Sequence, residues 1–253
     1  MPSHLEVVDL KVWIGDKQIL HGINFSFKPS TVTAVMGPSG SGKSTLLRSL
    51  NRLIELNPQA RIKGSILLDG VDIFKMESYK VRRRIGMVFQ EPNPFPHMSI
   101  YDNVALGPKL HGLAKTKKEL NDIVEWALRK SMLWDEVKDK LHEPPARLSG
   151  GQRQRLSLAR AIAVKPDVLL LDEPTANIDP VNTKKIEESI VELAREHGVT
   201  VILVTHTPQQ AARVSDYILF IHEGRQVEAG PTRSLVLNPS TDLLGHYFRG
   251  EMM

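Results

Sequence analysis

Thr31-Val-Thr-Ala-Val-Met36 runs directly into Gly37-Pro-Ser-Gly-Ser-Gly-Lys-Ser44-Thr45, and the join between the two decides the fold. The first six residues have the length and β-branched content of a buried strand. The glycine-rich segment fits G-x-x-x-x-G-K-[ST], and beyond it Leu46, Leu47, Leu50, Leu53 and Ile54 recur at helical spacing. A strand, a glycine loop and a helix in that order make a phosphate cradle. Glycines let successive backbone N–H groups turn inward, and the following helix adds the positive end of its dipole. Gly37, Pro38, Ser39, Gly40, Ser41, Gly42, Lys43, Ser44 and Thr45 are therefore expected around a phosphate chain. Lys43 is expected to reach the terminal phosphates and Ser44 to ligate Mg2+.

Outward from this join, period-two alternation at Leu5, Val7, Leu10 and at Ile23, Phe25, Phe27 predicts two strands, with Gly15-Asp16 as turn chemistry between them. Gly64 to Ile73 reads as a further hairpin arm turning at Asp69-Gly70. Together these predict an antiparallel layer. Arg84 to Phe89 is a short strand, after which Glu91-Pro-Asn-Pro-Phe-Pro-His97 cannot enter a helix or a central strand. From Ile100 to Val164 the pattern is helical and polar. Strands resume at Val168 to Leu171 and at Val201 to Thr205, each preceded by a helix. A closing hairpin, Tyr217 to Ile221 and Gln226 to Glu228, turns at Glu223-Gly224. A helical insert thus interrupts an α/β core.

The chain has 253 residues, enough to bury a sizeable core, and a net charge of +4 from 33 basic and 29 acidic residues. Its 41% apolar content excludes wholesale disorder. The absence of cysteine excludes disulfide scaffolds, thiolate metal sites and cysteine nucleophiles. Met1 to Leu10 carries Glu6 and lacks a basic region followed by an apolar stretch, so no signal peptide is expected; nor is a bilayer-spanning run. The basic runs Arg82-Arg83-Arg84 and Lys115 to Lys118 read as solvated faces, and no nucleic acid is expected as a partner.

Two further segments carry chemistry. Val168-Leu-Leu-Leu-Asp-Glu173 is an apolar strand ending in two acids, and ligands bind at the carboxyl ends of strands in open α/β sheets. Asp172 is placed to hold Mg2+, and Glu173 to orient and deprotonate an attacking water. Leu148-Ser-Gly-Gly-Gln152 opens a helix carrying Leu156, Leu158 and Ala159 on its apolar side. Ser149, Gly150, Gly151, Gln152 and the helix N-terminus make a second anion-binding surface. A helix cap by Ser149 accounts for the serine but leaves the paired glycines unexplained.

The ordered set of motifs resembles the nucleotide-binding subunit of ABC transporters along essentially the whole chain. By that resemblance residues 37–45 are the phosphate loop, Gln90 the Q-loop glutamine, residues 148–152 the signature, residues 168–173 the second acidic motif, Asp179 the D-loop aspartate and His206 the switch histidine. The fold implied is α/β: a P-loop NTPase (RecA-like) core with an N-terminal antiparallel β layer and an inserted α-helical subdomain. The core takes residues 1–90 and 161–230, the helical subdomain 91–160 and a C-terminal tail 231–253. The resemblance implies ATP and Mg2+ as ligands, with Lys43, Gln90, Glu173 and His206 catalytic and Ser44, Gln90 and Asp172 at the metal. It also implies a head-to-tail homodimer, each ATP lying between the loop of one copy and Ser149 and Gly151 of the other. Asp179 is counted with the nucleotide-binding set. The family stacks adenine on an aromatic residue just before the first hairpin's glycine; here Ile14 stands there and Trp13 is the available ring.

Within the family, Gly86 to Gln90 with Pro92-Asn-Pro-Phe-Pro96, Met98 to Val104, Leu110-His-Gly112 and Gln209 to Asp216 resemble phosphate-import ATPases. Phe-Pro-His97-Met is shared in style with other importers, such as those for polar amino acids, and a soluble cluster-assembly ATPase has similar motifs. The importer reading implies two integral-membrane permeases, an external solute-binding protein, and a peripheral place on the cytoplasmic face of the inner membrane.

Overall fold

A computed structural model describes residues 3–251, so Met1, Pro2, Met252 and Met253, at the outer ends of the expected core and tail, lie outside the described residues. In chain order the elements are β1 (Leu5–Ile14), β2 (Lys17–Phe27), β3 (Val32–Met36), α1 (Lys43–Leu50), β4 (Ala60–Leu68), β5 (Val71–Asp72), α2 (Ser78–Arg84) and β6 (Ile85–Val88). There follow α3 (Ile100–Leu110), α4 (Lys117–Lys130), α5 (Trp134–Val137), α6 (Gly150–Ile162), β7 (Val168–Asp172), α7 (Pro180–His197) and β8 (Thr200–Val204). The chain closes with α8 (Pro208–Val214), β9 (Tyr217–His222), β10 (Arg225–Pro231), α9 (Thr232–Leu237) and α10 (Asp242–Phe248). Among the described residues no helix is long and apolar enough to cross a membrane.

The strands form two sheets. An antiparallel one runs β2-β1-β4-β5, and a six-stranded one runs β10-β9-β3-β8-β7-β6, parallel except for β10 at its edge. β3, β7 and β8 are buried along their whole length, which is why they read as predominantly apolar runs rather than alternating ones. β1 buries Leu5 and Val7, then Leu10 and Val12. The three-residue step between Val7 and Leu10 is a bulge with Asp9 at φ 46°, so the alternation slips by one and the same face stays buried.

One face of the parallel sheet shares its core with the inserted helices and α7: Val88, Leu169, Leu171 and Leu203 pack in a cluster with Val104, Val124, Leu128 and Leu156 of the insert and with Ile190 of α7. The other face packs α1 and the antiparallel layer through Leu46, Leu47, Leu50, Leu5, Leu10 and Ile66. At the β3–β9 end, Leu235, Leu244 and Tyr247 of α9 and α10 cover Ala34, Met36, Ile218 and Phe220.

Two sequence expectations change here. The helix after the glycine loop stops at Leu50; Arg52 is left-handed at φ 63°, and Leu53 and Ile54 lie in a separate 3₁₀ turn that still buries Ile54. Arg82-Arg83-Arg84 is not simply a solvated face. Arg84 pairs with Asp69 of the β4–β5 turn and with Asp167 just before β7, pinning one sheet layer to the other.

Candidate active site

Gly37 and Gly42 have backbone conformations that the loop cannot build otherwise. Gly37 sits at φ 147°, where a Cβ would fall 1.9 Å from the Ile221 carbonyl oxygen; Gly42 caps α1 at φ 102°, with Leu20 Cδ2 2.7 Å from where a Cβ would stand. Lys43 begins α1 and is 6% exposed. Its ammonium, expected to reach the terminal phosphates, donates here to the carbonyls of Gly37 (2.8 Å) and Pro38 (2.7 Å). An ammonium has three N–H groups, so one remains for a ligand. Burial lowers the Lys43 pKa, while the nearby Glu173 and Asp172 charges oppose that shift.

Ser44 Oγ donates to Asp172 Oδ1 at 3.1 Å, bringing together the two residues read as metal ligands. Asp172 ends β7 and is buried; burial raises its pKa, the Ser44 bond and Arg48 oppose this, and Glu173 adds to it. Two neighbouring acids, one of them buried, beside a hydroxyl are a donor set suited to a hard divalent cation. Ser41 Oγ, in the same loop, is buried without a hydrogen-bond partner. The loop and its acids thus fit a nucleotide triphosphate with its magnesium.

Glu173 is left-handed at φ 45°, a strained conformation held by its N–H donating to the Val204 carbonyl at 3.1 Å. That turn carries the carboxylate off β7 toward the end of β8, and Glu173 Oε2 lies 3.0 Å from His206 Nδ1. Gln90 lies two residues beyond the end of β6, the strand that neighbours β7. The residue before it is fixed by Gln154 of α6, whose Nε2 donates to the Phe89 carbonyl at 2.8 Å.

Ser149 caps α6: its Oγ accepts from Gln152 N (3.2 Å), and Gln152 Oε1 accepts from Ser149 N (2.9 Å). The Gln152 side chain is thereby turned into the fold, its Nε2 donating to Glu136 at 2.8 Å. A Cβ on Gly150 would meet no heavy atom within 4 Å, whereas one on Gly151 would lie 2.5 Å from Asn182 Cγ. Asp179 caps α7, accepting from Val181 N, Asn182 N and Asn182 Nδ2, and the Asn182 bonds hold its pKa below the ordinary value. Trp13 lies on the face of β1 opposite buried Val12, its ring 5.9 Å from the Lys63 ammonium. Sequence reasoning missed Glu136, Arg155 and Asn182, which tie signature to D-loop; nothing in their spacing marks them.

The chain matches the family described as ABC transporter over residues 20–176. It is 65% identical over 248 residues to the phosphate import ATP-binding protein PstB of Aeropyrum pernix, covering 98% of each chain. It is 55% identical to the protein of that name from Pyrobaculum aerophilum, covering 99% of each, and 52% identical to that of Pyrococcus furiosus, covering 100% of each. A bacterial Atm1-family ABC exporter with ATP bound superposes with a TM-score of 0.82 at 27% identity; all of this chain matches 42% of that one.

Proposed function

The chain belongs to the ABC transporter family, and from that membership we infer that it is the ATPase subunit of an importer whose solute is inorganic phosphate. The observation that carries the chemistry is the pairing at the ends of two adjacent strands. Ser44 meets Asp172 and Glu173 meets His206, beside a loop with one free lysine donor. Near-full-length identity to several phosphate import ATP-binding proteins supports the solute.

The loop N–H groups and the start of α1 hold the phosphate chain of ATP, and Lys43 turns its remaining N–H to the terminal phosphates. Ser44, Asp172 and Gln90 would hold Mg2+, which would neutralise charge on the phosphate oxygens. Glu173 orients a water and accepts its proton as the γ-phosphoryl leaves, and His206 lies against both that carboxylate and the γ-phosphate. The second half of each site comes from another copy of the chain: Ser149, Gly150 and Gly151, with Gly150 open for close approach. Gln152 supports that surface as part of the cap, Asp179 orders its neighbour, and Trp13 supplies the adenine contact.

We assign residues 1–90 and 161–230 to the ATP-binding core, 91–160 to the helical unit that meets two permeases, and 231–253 to the tail. The homodimer works peripherally on the cytoplasmic face of the membrane, with a solute-binding protein on the other side. The test is reconstitution with permeases in vesicles. Phosphate-loaded binding protein should accelerate ATP hydrolysis, and a polar amino acid should not; equal rates with and without phosphate would remove the solute assignment.

A further inference from the structure

Tyr247 lies in α10, far along the chain from every motif that marks the site. Its ring is buried 5.1 Å from that of Phe220, in the cluster covering β3 and β9. Its hydroxyl leaves that cluster and meets two carbonyl oxygens, those of Gly37 and His206, each at 3.2 Å. Gly37 opens the phosphate loop, and its carbonyl also accepts from Lys43 Nζ at 2.8 Å. His206 is the residue facing Glu173.

These two carbonyls belong to segments leaving β3 and β8. The ladder between the strands ends there, its last bond running from Thr205 N to Val35 O at 3.3 Å. Past that point the tyrosine hydroxyl bridges loop and histidine. A phenol has a single proton to donate, and with both carbonyls at 3.2 Å the two share it. The far end of α10 is anchored independently: the Glu228 carboxylate accepts from Ser240 N, Thr241 N and Thr241 Oγ1 at 2.8, 3.1 and 2.8 Å.

We propose that Tyr247 is a positioning residue for ATP hydrolysis, its hydroxyl holding the first carbonyl of the phosphate loop and the backbone of His206 in fixed relation, so that α10 sets the rate of turnover. The proposal rests on the reading that Lys43 and His206 face the phosphates of ATP.

Full-length Tyr247→Phe keeps the ring against Phe220 and removes only the hydroxyl. It should lower kcat by about threefold to tenfold with KM for ATP changed by less than about twofold. Its melting temperature should stay within about 2 °C of the wild type. A tyrosine that only packs would show full kcat in Tyr247→Phe and a lowered melting temperature in Tyr247→Ala. Where His206→Ala is itself slow, the double variant Tyr247→Phe/His206→Ala should fall below it by less than the factor that Tyr247→Phe imposes on the wild type, because only the loop half of the hold is left to lose. A full-rate Tyr247→Phe, or slowing that multiplies in the double variant, overturns the proposal. A fully active His206→Ala beside a slow Tyr247→Phe supports the hold on the loop and removes instead the histidine's assigned contact. If Tyr247→Phe loses more than about 5 °C, Glu228→Gln replaces it: slower turnover at unchanged KM supports the proposal, and full rate overturns it.

Discussion

Glu136 accepts both terminal nitrogens of Arg155, at 2.8 and 3.0 Å, so an acid of the helical insert neutralises a cation only 1% exposed inside the signature helix. The same carboxylate takes Lys185 Nζ at 2.6 Å and Gln152 Nε2 at 2.8 Å. Arg155 also donates to Asn182 Oδ1 at 2.7 Å, and Asn182 Nδ2 donates to Asp179 Oδ2 at 2.6 Å. Signature, insert and D-loop are thus joined through one guanidinium.

Removing the acid should be costly, because the cation it serves cannot reach water. Glu136→Ala leaves Arg155 buried without its counter-charge, and a loss of about 3 kcal/mol is expected. That corresponds to a melting temperature lower by about 6–12 °C. Acid adds a second check. The Arg155 hydrogen bond, helped by Lys185 and Gln152 and opposed by burial, holds the Glu136 pKa at about 2 against an ordinary 4.5. A depressed carboxylate contributes stability in full above 4.5 and loses it as pH falls toward about 2. Thermal melts across that window should show a decline in the wild type that is shallower in Glu136→Ala. Parallel curves would mean that Glu136 does not carry the ionic load.

The loop, the acid-ended strand and the helix cap were legible in the sequence because each is a local pattern. Gly37 to Thr45, Val168 to Glu173 and Ser149 to Gln152 need only their own neighbours to be read. The family resemblance marked Glu173 and His206 separately as catalytic, but their meeting was not legible, since its distance depends on a left-handed turn at Glu173 that no residue pattern announces. Arg155 was illegible for a different reason. A charged residue on a helix reads as surface, and only the packing of α6 against α7 and the insert makes it a buried hub. Tyr247 depends in the same way on where the last helix lies.

The glycine pair of the signature should separate in its effects. Gly150 has open space at its Cβ position, so Gly150→Ala should fold with unchanged or slightly raised melting temperature. If that space receives phosphate from a second copy, ATP hydrolysis should nonetheless fall at least about tenfold. Gly151→Ala drives a methyl into Asn182 and should cost about 1–3 kcal/mol, the usual range for overpacking. Full hydrolysis by Gly150→Ala would remove Gly150 from the phosphate surface.

Phe95 sits in the proline-rich connector between Gln90 and α3, and it is not a core residue. It is 37% exposed, its ring faces the Arg160 guanidinium at 4.8 Å, and its backbone is held by buried Asn103 through bonds of 2.7 and 3.1 Å. The connector therefore keeps its path without the ring. Phe95→Ala should cost about 1 kcal/mol, well below the ~3–5 of a core phenylalanine. Basal hydrolysis should survive, while assembly with the permeases and solute uptake decline. Loss of several kcal/mol in a thermal melt would make Phe95 a packing residue, and normal uptake would show that it does not meet the permeases.

Glu173 offers the sharpest test of the chemistry, because its neighbours separate charge from shape. The carboxylate stands 3.0 Å from His206 Nδ1, next along the chain from Asp172, which Ser44 already engages. Glu173→Gln keeps the size of the side chain and the backbone bond to Val204, which does not involve the side chain. It removes the proton acceptor, so hydrolysis should fall by about 10²–10⁴-fold, the range of general-base catalysis. Binding should persist, since the loop, Lys43 and the Ser44–Asp172 pair are untouched. It also deletes a negative charge from the place where the γ-phosphate is expected, so repulsion between the two is relieved. Two copies closed around ATP should then outlive a chromatographic run. Size exclusion of Glu173→Gln with ATP and Mg2+ should show a dimer that disappears when ATP is replaced by ADP. A variant that stays monomeric and hydrolyses ATP at the wild-type rate would place both the base and the shared site elsewhere.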